Sequence, residues 1–365
     1  MTTIFQSVTA AANFMRSNDK TNRGRVAAPV GHGVHSMSKG IAAVVADWGT
    51  TNLRAWAMAA DGTIVDQRSG GRGLLAVEGG RFAEALSDIC ADWLAGADSV
   101  RGAGRPAVVM SGMVGSKLGW REVPYLAAPV RLDELARHLY RIASFTDAAV
   151  WIVPGISRDD PAQPEVMRGE EAQILGALQI LGTDDGMFLL PGTHAKWAIV
   201  EGRRLVDFRT YMTGELYGLL RRSGTLSQLM PAPADGEVRD ADAFRRGVER
   251  VRSPDAGNLL HGLFGVRTLG LFDRLPRAGL ASYMSGLMIG AEIEDGRRWL
   301  RSKGKTDAAM AIGSPDVVAA YGMAASLLGF ELRALDNAVV LPSALLSIAR
   351  VAGLLGHASG DEVKR

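Results

Sequence analysis

Cysteine is nearly absent from this sequence of 365 residues, in which Cys90 stands alone. A single cysteine excludes an intrachain disulfide framework and a zinc cluster held by several thiolates. Long apolar runs are scarce as well, since the best candidate, residues 338–349, contains Pro342 and is shorter than the roughly 18 to 20 residues that cross a bilayer. We therefore expect no membrane partner and a reducing, cytoplasmic location.

An excess of charge of one sign is also missing. The 41 basic and 39 acidic side chains leave a net charge of +2, so no global field attracts nucleic acid. The composition, 47% apolar and 22% charged, is that of a folded protein, and the length suggests two packed domains or a single large one. Residues 1–40 differ, because they carry five basic residues against one acid without clear periodicity or a secretory apolar segment. We predict a disordered N-terminal extension there.

The chain from residue 41 onwards has the pattern of an α/β protein. An apolar run at 41–46 ends in Asp47, and runs at 52–58 and 63–66 follow after turn residues, which predicts a meander of three strands. Apolar residues spaced by three and four predict a helix over 81–93, and residues 106–110 read as a buried strand.

The same order of elements recurs later in the chain. Apolar residues 187–190 lead into the loop 191–194, and extended segments follow at 196–200 and 204–208. One interpretation is a duplicated domain in which two glycine-containing hairpins face each other across a cleft. The alternative is that any two hairpins of an α/β protein look this similar.

A third glycine turn lies near the end of the sequence. Gly313 and Ser314 separate a predicted strand at 308–312 from a helix that begins at Pro315 and runs to about residue 328. Such a turn lets a ligand approach the backbone closely. A last helix is predicted from about Ser343 to Leu355, ending at Gly356.

The two hairpins carry residues suited to phosphate chemistry. Asp47 can hold hydrated magnesium, while the amides and hydroxyls of Gly49, Thr50 and Thr51 take phosphate oxygens. The alternative for Asp47 is an Asx turn at a strand end. The second hairpin offers Gly192, Thr193, His194 and Lys196, that is, amides, a hydroxyl and cations without a carboxylate. The alternative for its cations is a solvated strand end.

Glu170 and Glu171 lie between the hairpins, at the start of a helical pattern. A carboxylate at that place can accept the proton of an attacking hydroxyl, although both residues also suit the dipole of a first helical turn. A Walker loop and a dinucleotide fingerprint are both lacking, which excludes the corresponding NTPase and dehydrogenase classes.

Six blocks in the same order resemble the 2-dehydro-3-deoxygalactonokinase family. They are DWGTTNLRAW (47–56), GMVGS (112–116), PYL (124–126), VMRGEE (166–171), PGTH (191–194) with KW (196–197), and DFRT (207–210) with MTGEL (212–216). The resemblance implies the fold of sugar kinases, actin and heat-shock ATPases, with two ribonuclease-H-like domains, 41–185 and 186–365, around ATP and magnesium. It also implies transfer of phosphate from ATP to the 6-hydroxyl of 2-dehydro-3-deoxy-D-galactonate in galactonate breakdown.

The resemblance also suggests roles for individual residues. It matches 47–51 and 192–194 to the two phosphate loops and Gly313 with Ser314 to the adenosine turn, and it favours Glu170 over Glu171 as the base. The substrate's carboxylate calls for a cation, for which Arg168 and Arg209 are candidates and Lys117 a weaker third; both arginines also suit structural pairing. The turn at Gly112 is either a wall against the sugar or simply a tight turn. A kinase for an epimeric sugar acid such as 2-dehydro-3-deoxygluconate and a non-kinase ATPase of the same fold stay open, and the oligomeric state is not predicted.

Overall fold

Two six-stranded sheets form the framework of the protein. The structure, a computed structural model, describes residues 40–70, 72–95, 105–233 and 239–355, and the elements below are those of these ranges. Except for Gly40, the predicted extension at 1–40 lies outside the described residues. The strands are β1 (Ala43–Trp48), β2 (Leu53–Met58), β3 (Ile64–Gly70), β4 (Ala107–Ser111), β5 (Leu126–Ala127), β6 (Val130–Arg131), β7 (Tyr140–Ile142), β8 (Val150–Ile152), β9 (Ile156–Arg158), β10 (Glu165–Met167), β11 (Gly186–Leu190), β12 (Ala195–Glu201), β13 (Arg204–Tyr211), β14 (Ala308–Gly313) and β15 (Glu331–Asp336). The α-helices are α1 (Phe82–Ala95), α2 (Glu170–Leu181), α3 (Thr213–Arg222), α4 (Gly224–Ser227), α5 (Ala241–Arg250), α6 (Leu259–Leu271), α7 (Leu280–Ser302), α8 (Pro315–Leu327) and α9 (Asn337–Val351).

The two large sheets share one topology. Their strand orders are β3-β2-β1-β4-β8-β7 and β15-β14-β11-β12-β13-β6, and β10, β9 and β5 form a small third sheet. In each large sheet an antiparallel meander, β1 to β3 or β11 to β13, is extended beside its first strand by two parallel strands. This is the ribonuclease-H-like arrangement, present twice. The predicted repeat and fold class are confirmed, because a match over five strands is more than the similarity of two hairpins.

The helices form layers around these sheets. Side chains alternate along β1, so that Val45 faces one core and Val44 the opposite one. Helix α1 packs on the Val44 face, α2 and α9 fill the space between the two sheets, and α7 and α8 cover the outer face of the second sheet. The middle layer is therefore built from both halves of the chain.

The last helix differs from its prediction. Helix α9 begins at Asn337 rather than Ser343 and ends at Val351, while the predicted end at Gly356 lies outside the described residues. The Asp336 side chain caps the helix by accepting a hydrogen bond from the Ala338 amide at 2.8 Å. Pro342 lies inside the helix and is buried, so apolar packing in the middle layer outweighs the hydrogen bond that proline cannot donate.

Contacts cross the predicted domain boundary at residue 185 in two places. Helix α9 packs against β1, β4 and α2, and the short strand β6 pairs with β13 of the second sheet. The division into 41–185 and 186–365 stays a prediction. None of the helices in the described ranges is long and apolar enough to cross a membrane.

Candidate active site

Asp47 lies near the end of β1, opposite Ser111 of the parallel strand β4. Its side chain is 17% exposed and accepts a hydrogen bond from Nη2 of Arg54 at 2.5 Å. Burial raises the pKa of Asp47 and Arg54 lowers it, with a net upward shift. The carboxylate is thus accessible from one side and already has a cationic partner.

Gly112 brings the backbone after β4 against Asp47. Its φ of 96° lies in the region that favours glycine, and an ideal Cβ on it would lie 3.2 Å from Oδ1 of Asp47 and 2.8 Å from the carbonyl oxygen of Trp48. Only glycine allows this approach. Gly112 therefore makes a tight turn, one of its two expected roles, and that turn shapes the surroundings of the carboxylate.

The predicted first phosphate hairpin, Gly49 to Thr51, is supported by a segment that the sequence pattern did not indicate. Thr50 and Thr51 are exposed, and the carbonyl oxygens of Gly49 and Thr50 accept hydrogen bonds from the Leu74 and Leu75 amides at 3.0 and 3.1 Å. An ideal Cβ on the preceding glycine, Gly73, would lie 2.1 Å from the carbonyl carbon of Thr51. Gly73 follows Gly70 and Gly71 in the sequence, and such a glycine-rich stretch carries no local signal of this long-range contact.

The start of α3 holds the predicted second phosphate hairpin, Gly192 to His194. Gly192, Thr193 and His194 are exposed between β11 and β12. The Glu215 amide donates to the carbonyl oxygen of Thr193 at 2.9 Å, and the carboxylate of Glu215 lies 2.5 Å from Nε2 of His194. Gly214 completes the contact, because an ideal Cβ there would lie 2.2 Å from the carbonyl oxygen of Gly192.

A cavity of about 440 Å³ opens beside this hairpin. Its walls include the hairpin, the start of α3 and side chains of α7 and α8: Gly192, Thr193, Thr213, Gly214, Tyr217, Met288, Val317 and Tyr321. Gly313 and Ser314 lead into α8 at the same place, since an ideal Cβ on Gly313 would lie 3.4 Å from the carbonyl oxygen of Pro191. The predicted adenosine turn and the second phosphate hairpin are therefore neighbours.

The two glutamates at the start of α2 differ in environment. Glu171 is fully buried, and both its oxygens accept a hydrogen bond from the Gly169 amide at 2.8 Å. Burial, with a smaller contribution from the charge of Glu170, raises the pKa of Glu171 to about 8. Glu170 is partly exposed and accepts a hydrogen bond from the Arg168 amide at 2.9 Å. Glu170 is thus the more accessible carboxylate.

The start of α2 also lies close to the first hairpin. An ideal Cβ on Gly169 would lie 3.3 Å from the Cα atom of Gly112, which itself packs against Asp47. Glu170 follows Gly169 directly in the chain. The structure therefore brings together Asp47, Gly112 and the two glutamates.

Arg168 is buried with part of its hydrogen-bonding capacity unused. Its Nη2 atom donates to the carbonyl oxygen of Val123 at 2.7 Å, and its guanidinium stacks 4.2 Å from the centre of the Tyr125 ring. Among the described residues, Nε and Nη1 of Arg168 have no partner, and neither have the buried hydroxyls of Ser111 and Ser116. Buried donors without partners require an explanation, and a bound anion is one.

Lys196 lies on the face of β12 that turns towards the middle layer. It is 5% exposed and donates to Oγ1 of Thr210 at 3.0 Å. Burial lowers the pKa of Lys196, while Glu170, Glu165 and Glu171 raise it. Lys196 is therefore not on a solvated strand end, and its charge interacts with the start of α2.

The remaining two candidate cations lie elsewhere. Arg209 pairs across the sheet with Trp197 and points to α7, where it lies 3.5 Å from Asp295 and over the ring of Trp299. This is the opposite face of the second sheet from Lys196, so the structure does not bring Arg209 together with Arg168. Lys117 is exposed in the turn after residues 113–115.

The donor set at the first hairpin suits magnesium only together with other ligands. The described residues contain no group of three histidine, cysteine or acidic side chains that could hold a metal. Magnesium commonly binds one or two carboxylates together with water and substrate phosphates, and Asp47 supplies one carboxylate. A magnesium ion carried by a nucleotide therefore fits these residues, whereas an all-protein metal cage does not.

The fold and this site define a class of protein. Two ribonuclease-H-like halves, each with a glycine-containing hairpin after its first strand, are the architecture of the sugar kinases, actin and heat-shock ATPases. Within this class, the chain belongs to the 2-keto-3-deoxy-galactonokinase family, whose model matches residues 47–348.

Individual relatives agree with the family. The chain is 32% identical to a 2-dehydro-3-deoxygalactonokinase of Escherichia coli strain K12, over 84% of this chain and 97% of the relative. It is also 32% identical, over 83% and 95%, to a Rhizobium meliloti strain 1021 protein provisionally given the same name. A crystal structure of a Sinorhizobium meliloti protein, provisionally named as this kinase, superposes with a TM-score of 0.74 at 30% identity, over 84% of this chain and 98% of the other.

Proposed function

We propose that this protein transfers the γ-phosphoryl group of ATP to the 6-hydroxyl of 2-dehydro-3-deoxy-D-galactonate. Membership of the family is the observation that carries the proposal. The cavity of about 440 Å³ beside the second hairpin supports it, because it offers a place for the adenosine of ATP. The expected cytoplasmic location fits a reaction that consumes ATP.

The two hairpins hold the triphosphate in this proposal. Amides and hydroxyls of Thr50 and Thr51 and of Gly192 to His194 bind phosphate oxygens, whereas the Gly49 amide already donates to the carbonyl oxygen of Asn52 at 2.9 Å. Asp47 would hold the magnesium ion that accompanies ATP. The ion supplies neutralisation of the charge on the phosphates. Lys196 of β12 is buried near the glutamates, and it adds a positive charge from the second half of the chain.

Glu170 acts as the general base. The 6-oxygen of the substrate forms a bond to the γ-phosphorus, the bond from that phosphorus to the bridging oxygen breaks, and ADP leaves. The proton of the hydroxyl passes to a carboxylate oxygen of Glu170. Its partial exposure and the nearness of its loop to Gly112 and Asp47 support this role, whereas Glu171 is buried and bound to the Gly169 amide.

Arg168 binds the carboxylate of the sugar acid. Its Nε and Nη1 atoms have no partner among the described residues and lie on different edges of the guanidinium, so each would donate singly to the carboxylate and not as a bidentate pair. The hydroxyls of Ser111 and Ser116 provide further polar groups near the same loop. Glu171 adds little competing negative charge at neutral pH, because its raised pKa keeps it mostly protonated.

A paired substitution tests the base. Glu170→Gln keeps the shape of the side chain but cannot take the proton, so kcat should fall by roughly 10²- to 10⁴-fold while both KM values stay within twofold. Glu171→Gln is the matched control, and its kcat should fall far less. A Glu170→Gln enzyme that binds both ligands and keeps full turnover would contradict the role.

A comparison of substrates tests the reaction itself. We expect ADP release to depend on 2-dehydro-3-deoxygalactonate and to be slower with its epimer 2-dehydro-3-deoxygluconate. Faster turnover of the epimer would reassign the substrate. ATP binding without any sugar phosphate would favour a non-kinase ATPase instead.

A further inference from the structure

Glu292 is a buried carboxylate that the proposed reaction does not use. It lies in the middle of α7 and is 3% exposed. Its Oε1 accepts a hydrogen bond from Nε1 of Trp197 at 2.9 Å, and its Oε2 accepts from the Tyr321 hydroxyl at 2.7 Å and from the Thr213 hydroxyl. Three donors from β12, α8 and the start of α3 thus meet on one side chain.

These hydrogen bonds join two parts of the nucleotide site. Thr213 and Tyr321 both line the cavity beside the second hairpin. Thr213 is followed by Gly214, whose backbone packs against Gly192, and by Glu215, whose amide binds the carbonyl oxygen of Thr193. A side chain that fixes Thr213 therefore also restricts the second phosphate hairpin, through the contacts of Gly214 and Glu215.

Glu292 borders a second cavity. Together with Thr213 it lines this space of about 390 Å³, and Thr213 lines the first cavity as well. A side chain that borders two cavities, as Thr213 does, has fewer packing neighbours than one in a filled core. Hydrogen bonds to a charged acceptor are stronger than those between neutral groups, so the Glu292 carboxylate is suited to hold Thr213 and Tyr321 in place.

We propose that Glu292 is a positioning residue for ATP: it holds Thr213 and Tyr321, and through them the second phosphate hairpin and the wall of the adenosine cavity. This inference rests on the proposed function. It assigns Glu292 no contact with either substrate and no role in proton transfer. The effect of its loss should therefore concern the nucleotide and not the sugar acid.

Glu292→Gln is the direct test. The amide oxygen can still accept from Trp197, but the NH₂ group can only donate to the Thr213 and Tyr321 hydroxyls, so the bonds to a charged carboxylate are replaced by weaker bonds between neutral groups. We expect the KM for ATP and the Kd of a non-hydrolysable ATP analogue to rise about tenfold, while the KM for the sugar acid stays within twofold. If this variant does not fold, Tyr321→Phe removes one donor and keeps the ring, and it should raise the KM for ATP by about threefold.

Coupling and a control separate positioning from general stability. In the Glu292→Gln background, Tyr321→Phe should add less than twofold, because the bond from the Tyr321 hydroxyl to a charged acceptor is already lost. Asp307→Asn removes the negative charge and one of the two oxygens that accept from Arg297 and Arg301 near the far end of α7. It should lower stability without changing the KM for ATP.

Two outcomes would overturn different claims. A Glu292→Gln enzyme with lowered stability and an unchanged KM for ATP has lost a structural contact only, which refutes the positioning role. Absence of ATP-dependent turnover in the unmodified protein would refute the proposed function instead.

Discussion

Replacement of Gly214 by alanine tests how the second hairpin is held. An ideal Cβ at this position lies 2.2 Å from the carbonyl oxygen of Gly192 and 3.0 Å from the Cα atom of Thr193, whereas ordinary contact begins at 3.4 Å. The obstacle is backbone and not the end of a flexible side chain, so the hairpin must retreat by about 1 Å. Because a misplacement of about 1 Å costs on the order of 10²-fold in rate, we expect kcat/KM for ATP to fall by that factor.

The sugar-acid side should respond differently. Gly192 belongs to the nucleotide side of the site, so the KM for the sugar acid in the Gly214→Ala enzyme should stay within twofold. Steady-state kinetics with each substrate varied in turn measures both effects. Undiminished kcat/KM for ATP would show that this hairpin does not hold the nucleotide, and the assignment of the second phosphate loop would fail.

Gly265→Ala is the matched control for the intrinsic effect of alanine in a helix. Gly265 lies in α6, and an ideal Cβ on it meets nothing within 4 Å. Alanine in a helix interior is favoured over glycine by roughly 0.5–1 kcal/mol, so this variant should gain about that much free energy of unfolding without a change in kinetics. An equal gain in the free energy of unfolding for Gly214→Ala and Gly265→Ala would mean that the second hairpin moves away from the new methyl group without a loss of stability.

Three further predictions concern titration, reactivity and the metal. The pKa of Glu171 is raised to about 8 from an ordinary 4.5, so the folded protein binds this proton more tightly than the unfolded chain does. The free energy of unfolding should therefore fall as the pH rises between these two values. Glu171→Gln should reduce this pH dependence, measured by urea unfolding at pH 5 and 8, and an unaltered pH dependence would contradict the shift. Cys90 is fully buried and its pKa is raised to about 12, so a thiol reagent at pH 8 should label it only on unfolding, and rapid labelling of the native protein would be inconsistent with this burial. Asp47→Asn should raise the magnesium concentration for half-maximal activity by about tenfold or more, whereas an unshifted magnesium titration would remove Asp47 from the metal site.

Much of the fold follows from local patterns in the chain. The strands of both meanders, helix α1 and the start of α8 at Pro315 were predictable, because alternation of apolar residues, helical spacing and the preference of proline for a first helical turn act within a few residues. The first residue of α9 was not: the cap at Asp336 is local, but the helix contains Pro342, which is tolerated there through burial in the middle layer. The order of the hairpins along the chain indicated the repeat, and the sheet orders confirmed it.

The environments of the candidate residues required the tertiary structure. Local sequence does not distinguish Glu170 from Glu171, but burial and the Gly169 amide do. The carboxylate of Glu292 meets donors from Trp197 and Thr213, which are 95 and 79 positions away. Residue type and spacing select elements through short-range preferences, whereas exposure, pKa and hydrogen-bond partners depend on which distant elements pack together, and packing is set by the whole chain.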